Sequence, residues 1–222
     1  MVPKPNEEFR PTGDYCALNK QTQMDCYPLP HLHDFAQNLH GKKLFSKIYL
    51  TRTYYEIPVH PADVPETAIA TLFGLYEFLF VPFGLACAAQ TFQRFMNEVL
   101  HGFDFAFVYL DDILISNSSE QEDATHLNMV LKRLSEYGIR INVTKCVLGV
   151  QELSFLGYLV NEHGIRPMPE KVVPIVNYDR PKTIKDFRRY LGLLNYYRRN
   201  IPQTAHVQTV LTDYNERCSY FR

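Results

Sequence analysis

The chain has 222 residues, 46% hydrophobic and 21% charged, with a formal net charge of −1. That balance excludes a disordered tail, a solenoid and a protein that coats nucleic acid over its whole surface, and the length suits one domain or two small ones. Five scattered cysteines without a C-x-x-C pair, apolar runs too short to span a bilayer, and an opening "MVPKPNEEFRP" without signal-peptide character predict an intracellular protein with no membrane partner, not secreted.

A polar, turn-rich opening runs to Asn19. The segment "PLPHLHDFAQNLHG" predicts a short helix with Leu32, Phe35 and Leu39 on one face and Gly41 as its stop. In "LFSKIYL" the period is two: Leu44, Ile48 and Leu50 point one way, Phe45, Lys47 and Tyr49 the other. Tyr49 therefore faces whatever Lys47 faces. The run "AAQTFQRFMNEVLHG" reads as a helix, because Phe92, Phe95, Met96 and Val99 recur at helical spacing. "FAFVYLDDILIS" follows, two apolar strands with Asp111 and Asp112 at their junction, which predicts an acid-tipped hairpin. Ser119 and Glu122 form a capping box for a helix with Leu127, Val130, Leu131 and Leu134 on one face, ended by Gly138. "IRINVTKCVLG" and "LSFLGYLV" read as strands.

A proline-marked boundary at "GIRPMPEKVVPI" precedes a helical last third. Thr183 and Asp186 form a second capping box, and Phe187, Tyr190, Leu191, Leu194 and Tyr197 make the stripe of the helix that follows. Between Arg166 and Arg199 there are nine Lys or Arg against three acids, net +6, which leaves −7 on the rest of the chain. A basic segment on an acidic body suits a grip on a phosphate backbone, and a solvated helix face is the alternative.

Adjacent carboxylates at a hairpin tip suit Mg²⁺, which takes oxygen ligands from one or two carboxylates and from substrate phosphates. Two such ions about 4 Å apart activate a 3′-hydroxyl and stabilise a leaving pyrophosphate. Asp-Asp is equally ordinary turn chemistry. His31 and His33, an H-x-H without a further ligand at metal spacing, read as surface histidines.

The ordered company of the acid pair separates these readings. "FRPTGDYCALN", "PLPHLHD", "FSKIYLTRTYYEIPV", "FGLYEFLFVPFGL", "AAQTFQRFMNEVL", "FVYLDDILI", "LSEYGIRINVTKC", "FLGYLV" and "RRYLGLLNYYRR" together resemble the reverse transcriptase of gypsy-type LTR retrotransposons, from about Val2 to near Ala205. The resemblance implies an α+β right-hand polymerase with fingers (1-23 and 57-86), a ferredoxin-like palm (24-56 and 87-162) and a partial helical thumb (163-222). It implies template-directed deoxynucleotide addition with Mg²⁺ or Mn²⁺, in the cytoplasm or a virus-like particle. The partners it implies are an RNA or DNA template with a primer strand, and deoxynucleoside triphosphates; self-association is left open.

Residue by residue, Tyr109, Leu110, Asp111 and Asp112 match the YxDD motif, in which both aspartates are catalytic and metal-binding. Arg10 matches a fingers arginine on the triphosphate, a bidentate role suited to guanidinium. Tyr54 matches the ring that excludes a 2′-hydroxyl, its alternative being plain packing in a strand. Phe83 is expected beside the nucleotide and Lys145 near the leaving phosphates. Phe155, Leu156, Gly157 and Tyr158 match the hairpin that positions the primer end. Lys182, Lys185, Arg188, Arg189, Arg198 and Arg199 are the expected nucleic-acid contacts.

One departure is chemical. Where the family reads "FSKIDL" and its aspartate bridges both metals, this chain has Tyr49. A phenol, with a reference pKa near ~10, is neutral at working pH and lacks bidentate oxygens. The expectation is an impaired copy, a catalytically inert nucleic-acid-binding remnant or partner subunit being the alternative. Cys16 for arginine in "GDYRALN", Leu72 for proline in "TTPFGL", and Arg52 near the altered position point the same way. Glu56 is a weak substitute ligand, because a strand would carry it more than about 20 Å from Tyr49. The chain reads as a polyprotein fragment without RNase H, protease or integrase segments.

Overall fold

The computed structural model describes residues 12–200, the short strands β1 (Val2–Pro3) and β2 (Phe9–Arg10), and Thr209; the side chains of Arg10 and Arg199 lie outside the described residues. Helices α1 (Cys16–Gln21) and α2 (Leu32–Leu39) precede strand β3 (Leu44–Tyr49). The hairpin β4 (Ile69–Thr71) and β5 (Gly74–Tyr76) leads to α3 (Ala88–Val99), then β6 (Ala106–Tyr109), β7 (Asp112–Asn117) and α4 (Glu120–Glu136). Strands β8 (Val147–Val150), β9 (Glu152–Phe155), β10 (Tyr158–Asn161) and β11 (Gly164–Pro167) follow, then helices α5 (Pro169–Val176) and α6 (Ile184–Tyr196).

The central sheet is antiparallel, in the order β6-β7-β3-β8. Both its faces are covered, which is why β7 reads as a continuous apolar run rather than an alternating one. On one face Ile48, Val108, Ile113 and Ile115 pack against Phe92, Met96 and Val99 of α3 and Val130 and Leu134 of α4. On the other, Phe45, Phe107 and Leu114 pack against Leu32, Phe35 and Leu39 of α2 and against Leu153, Phe155, Tyr158 and Val160 of the β11-β10-β9 sheet. The helical stripes expected in α2, α3 and α4 are thus the surfaces that close this double core.

The N-cap half of both capping boxes forms, while the Glu122 carboxylate takes the Ser118 N–H and Asp186 the Thr183 hydroxyl. Ser119 Oγ accepts the Glu122 N–H at 3.2 Å and Thr183 Oγ1 accepts the Asp186 N–H at 3.1 Å. Gly138, at φ 71°, ends α4 as expected. The Glu122 carboxyl, held below its usual range chiefly by the Ser118 N–H, contributes its stability above the unfolded-state value and loses it as pH falls through the lower folded one. Ser119→Ala is expected to cost about 1 kcal/mol in urea unfolding at pH 7, the ordinary worth of an N-cap.

Three local expectations change. The stretch "IRINVTKCVLG" is not one strand: a bridge at Ile141 and a 3₁₀ turn, Val143–Lys145, come before β8. Part of the boundary segment "GIRPMPEKVVPI" is β11, hydrogen-bonded along β10. The stripe of α6 is half-buried throughout, with no fully buried residue in that helix.

Candidate active site

The β6–β7 hairpin turns through Leu110 and Asp111, closed by the pair Tyr109 and Asp112. Leu110 sits at φ 48°, a left-handed conformation that costs an L-residue about 1–2 kcal/mol. A clamp on the backbone holds it there. Gln93 of α3, fully buried, donates from Nε2 to the Val108 carbonyl at 2.9 Å and accepts the Leu110 N–H at 2.8 Å. Sequence reasoning missed Gln93; its one signal was a polar side chain three residues before Met96, inside the buried arc of an amphipathic helix.

Asp111 Oδ1 accepts a hydrogen bond from Thr53 Oγ1 at 2.7 Å, and the Asp111 carbonyl accepts the Leu50 N–H at 2.8 Å. Tyr49 stands directly opposite Asp112 in the β3–β7 ladder. Lys47, on the same face and diagonal to Asp112, brings Nζ to 3.2 Å from Asp112 Oδ1. Diagonal neighbours lie about 7–8 Å apart, within a lysine's reach. That oxygen is buried and lacks a partner of hydrogen-bond geometry, so the contact is an ion pair. What Lys47 and Tyr49 both face is therefore Asp112.

Lys145 joins the same corner, its Nζ 4.4 Å from the centre of the Tyr49 ring. The contact is a cation–π interaction, worth about 0.5–1 kcal/mol at an exposed site. The Tyr49 N–H points at Cys146 Sγ at 3.4 Å, and the Tyr49 carbonyl accepts the Asn142 N–H at 2.7 Å.

Tyr54 and Phe83 also come together, edge to face with ring centres 5.1 Å apart, and Tyr54 packs on Phe92 at 5.9 Å. Tyr54 is not in a strand. β3 ends at Tyr49, Arg52 takes φ 55°, and Thr53–Glu56 form a 3₁₀ turn. The extended path assumed for Glu56 therefore does not exist, and Glu56 instead faces Arg140 at 3.8 Å. The side chain of Arg10, expected on the triphosphate, lies outside the described residues.

The second hairpin turns through Leu156 at φ 49° and Gly157 at φ 82°, two positive values that match the right-handed twist of its strands. Phe155 beneath it is fully buried and Tyr158 is buried against α2. His33, read from sequence as a surface residue, is half-buried with its ring 5.3 Å from Tyr158 and nearly perpendicular to it. His31, at the N-cap position of α2 without a side-chain capping bond, is exposed. Lys182, Lys185, Arg188, Arg189 and Arg198 are exposed on or beside α6; Arg199 is outside the described side chains.

An acid-tipped hairpin at one side of an antiparallel sheet covered on both faces, backed by two helices and flanked by a second hairpin, is the arrangement of a right-hand polymerase. The chain belongs to the reverse transcriptase family: residues 2–160 match the family described as reverse transcriptase (RNA-dependent DNA polymerase). It is 36% identical over 215 residues to the retrovirus-related Pol polyprotein from transposon opus of Drosophila melanogaster, covering 95% of this chain and 21% of that protein. It is 34% identical over 209 residues to the transposon Tf2-3 polyprotein of Schizosaccharomyces pombe, covering 93% of this chain and 16% of that one. The chain thus spans about a fifth of the length of these relatives, and the resemblance to gypsy-type elements is borne out.

Among solved structures, the foamy viral protease-reverse transcriptase in complex with dsDNA superposes with a TM-score of 0.82 at 27% identity, covering 96% of this chain and 44% of that one. Its complex with an RNA/DNA hybrid gives 0.77 at 26%, covering 97% and 29%. The right-hand polymerase fold expected from the sequence is confirmed. Among the described residues no helix is long and apolar enough to cross a membrane.

The family implies divalent metal, and the donors present do not fit a two-metal centre. The position opposite Asp112 carries a phenol ring and no carboxylate, Asp112 Oδ1 is met by Lys47, and Asp111 Oδ1 by Thr53. Among the described residues no three His, Cys, Asp or Glu side chains gather as a metal site.

Proposed function

We propose that this chain is the reverse transcriptase domain of a gypsy-type retrotransposon polyprotein that keeps its hold on primer and template and has lost two-metal chemistry. The observation that carries the reading is Tyr49 opposite Asp112, where the reaction needs a carboxylate shared by both Mg²⁺ or Mn²⁺ ions. The fingers are assigned to 1-23 and 57-86, the palm to 24-56 and 87-162, and the thumb to 163-222. Arg10 and Lys145 serve the triphosphate, and Tyr54 and Phe83 the sugar and base. Phe155, Leu156, Gly157 and Tyr158 set the primer end. Lys182, Lys185, Arg188, Arg189, Arg198 and Arg199 take the backbone of an RNA or DNA duplex. The place of action is the cytoplasm or a virus-like particle.

Binding to a primer–template duplex tests the retained half of this reading. Affinity is expected to fall steeply between 50 and 200 mM salt, by about 10³-fold or more when six or more phosphates are neutralised. The double change Arg188→Ala and Arg189→Ala is expected to flatten the log–log slope by about 2, one unit for each phosphate no longer neutralised. Salt-independent binding, or none at 50 mM, overturns the reading.

A further inference from the structure

A cleft of about 410 Å³ opens between the second hairpin, the start of α2 and the end of α6. His31, His33, Tyr109, Tyr158, Tyr196 and Arg198 line it. Rings dominate its walls: His33 stands edge-on to Tyr158 at 5.3 Å, and Tyr197, which does not itself line the cleft, connects Tyr158 at 6.5 Å with Tyr196 at 4.8 Å. Tyr196 is 65% exposed, so its ring offers apolar surface to whatever enters. Arg198 supplies an exposed guanidinium at the rim. Tyr109, two residues before Asp111, makes the cleft a neighbour of the acid tip.

Exposed ring faces with one cation and a volume suited to a small ligand are the chemistry that takes an unpaired base with its phosphate. A terminal base that stays paired is held by its template partner and by the one neighbour it stacks on, and cannot swing into such a wall without losing both. We propose that this cleft holds a single unpaired nucleotide, the frayed 3′ end of a primer, with Tyr196 and His33 against the base and Arg198 on its phosphate. The proposal rests on the nucleic-acid reading above and extends it to His31, His33 and Tyr196, for which the sequence suggested no role. An end lodged there stands beside the acid tip and next to Leu156 and Tyr158 but has left its template partner, so the cleft discriminates a frayed terminus from a paired one.

The test uses the full chain and a DNA primer on an RNA template, with 2-aminopurine at the 3′ terminus either paired with uracil or mismatched. Binding is expected to quench the mismatched, bright terminus. Tyr196→Ala and His33→Ala are each expected to weaken binding of the mismatched end about fivefold to a hundredfold and to leave it bright, the range of one base–ring stack. Tyr196→Phe, which keeps the ring, is expected to bind and quench as the parent does. Both alanine variants should bind the paired end within about twofold, which also shows that they fold.

A mismatched end that stays bright in the bound parent overturns the cleft while leaving the duplex reading standing. Equal binding of the mismatched end by Tyr196→Ala and the parent does the same. Failure to bind either substrate sinks the duplex reading and the cleft together.

Discussion

Tyr49→Asp is expected to raise primer extension at least about 100-fold over the native chain, which should incorporate at background. Loss of a residue that only supports a metal ligand costs about 10- to 100-fold, and a carboxylate bridging both ions sits one shell closer. The register supports restoration: position 49 lies directly across from Asp112, where facing Cβ atoms are about 4.5–5.5 Å apart. A third carboxylate there faces Asp112, the neighbour of Asp111 in the turn. It also brings like charges together, which is unfavourable until a cation neutralises them.

The same variant therefore carries a second readout. In chelator its melting temperature should drop below that of the native chain, and Mn²⁺ or Mg²⁺ should raise it, because an ion that binds only the folded state stabilises by mass action. The native chain should show a much smaller response. Extension by the native chain equal to that of Tyr49→Asp would sink the assignment of Tyr49 as the lesion. A metal response in Tyr49→Asp without extension would leave the metal site sound and move the lesion elsewhere, with Cys16 and Leu72 the first positions to revert.

Gln93→Ala is expected to destabilise the chain by about 3 kcal/mol. It removes the partners of two backbone groups at once, the Val108 carbonyl and the Leu110 N–H, and each orphaned buried group costs about 1–3 kcal/mol. Gln93→Leu separates that loss from the loss of volume, since it fills the space and still leaves both groups unpaired. In a Tyr49→Asp background either change should lower kcat at least about tenfold with little effect on duplex affinity, because Gln93 holds the acid tip and touches no substrate. Urea unfolding and steady-state extension report the two effects. Gln93→Leu within about 0.5 kcal/mol of the parent would show that the clamp is idle.

The acid-tipped hairpin and the N-caps at Ser119 and Thr183 were readable because each is short-range chemistry: an alternation, a turn, or a side chain reaching three residues on; the YxDD motif and the hairpin at Leu156 and Gly157, in a segment whose own pattern read as strand, came from the family resemblance. The stripe Leu32, Phe35 and Leu39 was readable for the same reason, whereas the conflict at Tyr49 showed only against the family's "FSKIDL". The path after Tyr49 was not. "YLTRTYYEIP" continues the look of a strand, yet Leu50 is held by the Asp111 carbonyl and Arg52 turns left-handed, a path set by the neighbouring hairpin.

Local pattern thus determined helices α2, α3, α4 and α6, the acid-tipped hairpin and the basic segment, and the ordered motifs carried the resemblance to the family. Only the tertiary structure decided what meets across them: Lys47 and Lys145 converging on Asp112 and Tyr49, Gln93 beneath the turn, and His33 drawn from the surface into a ring-lined cleft. Periodicity tells which face of an element is apolar. It carries no record of which distant polar side chain that face will bury, because that choice is made when segments far apart in the chain pack against one another.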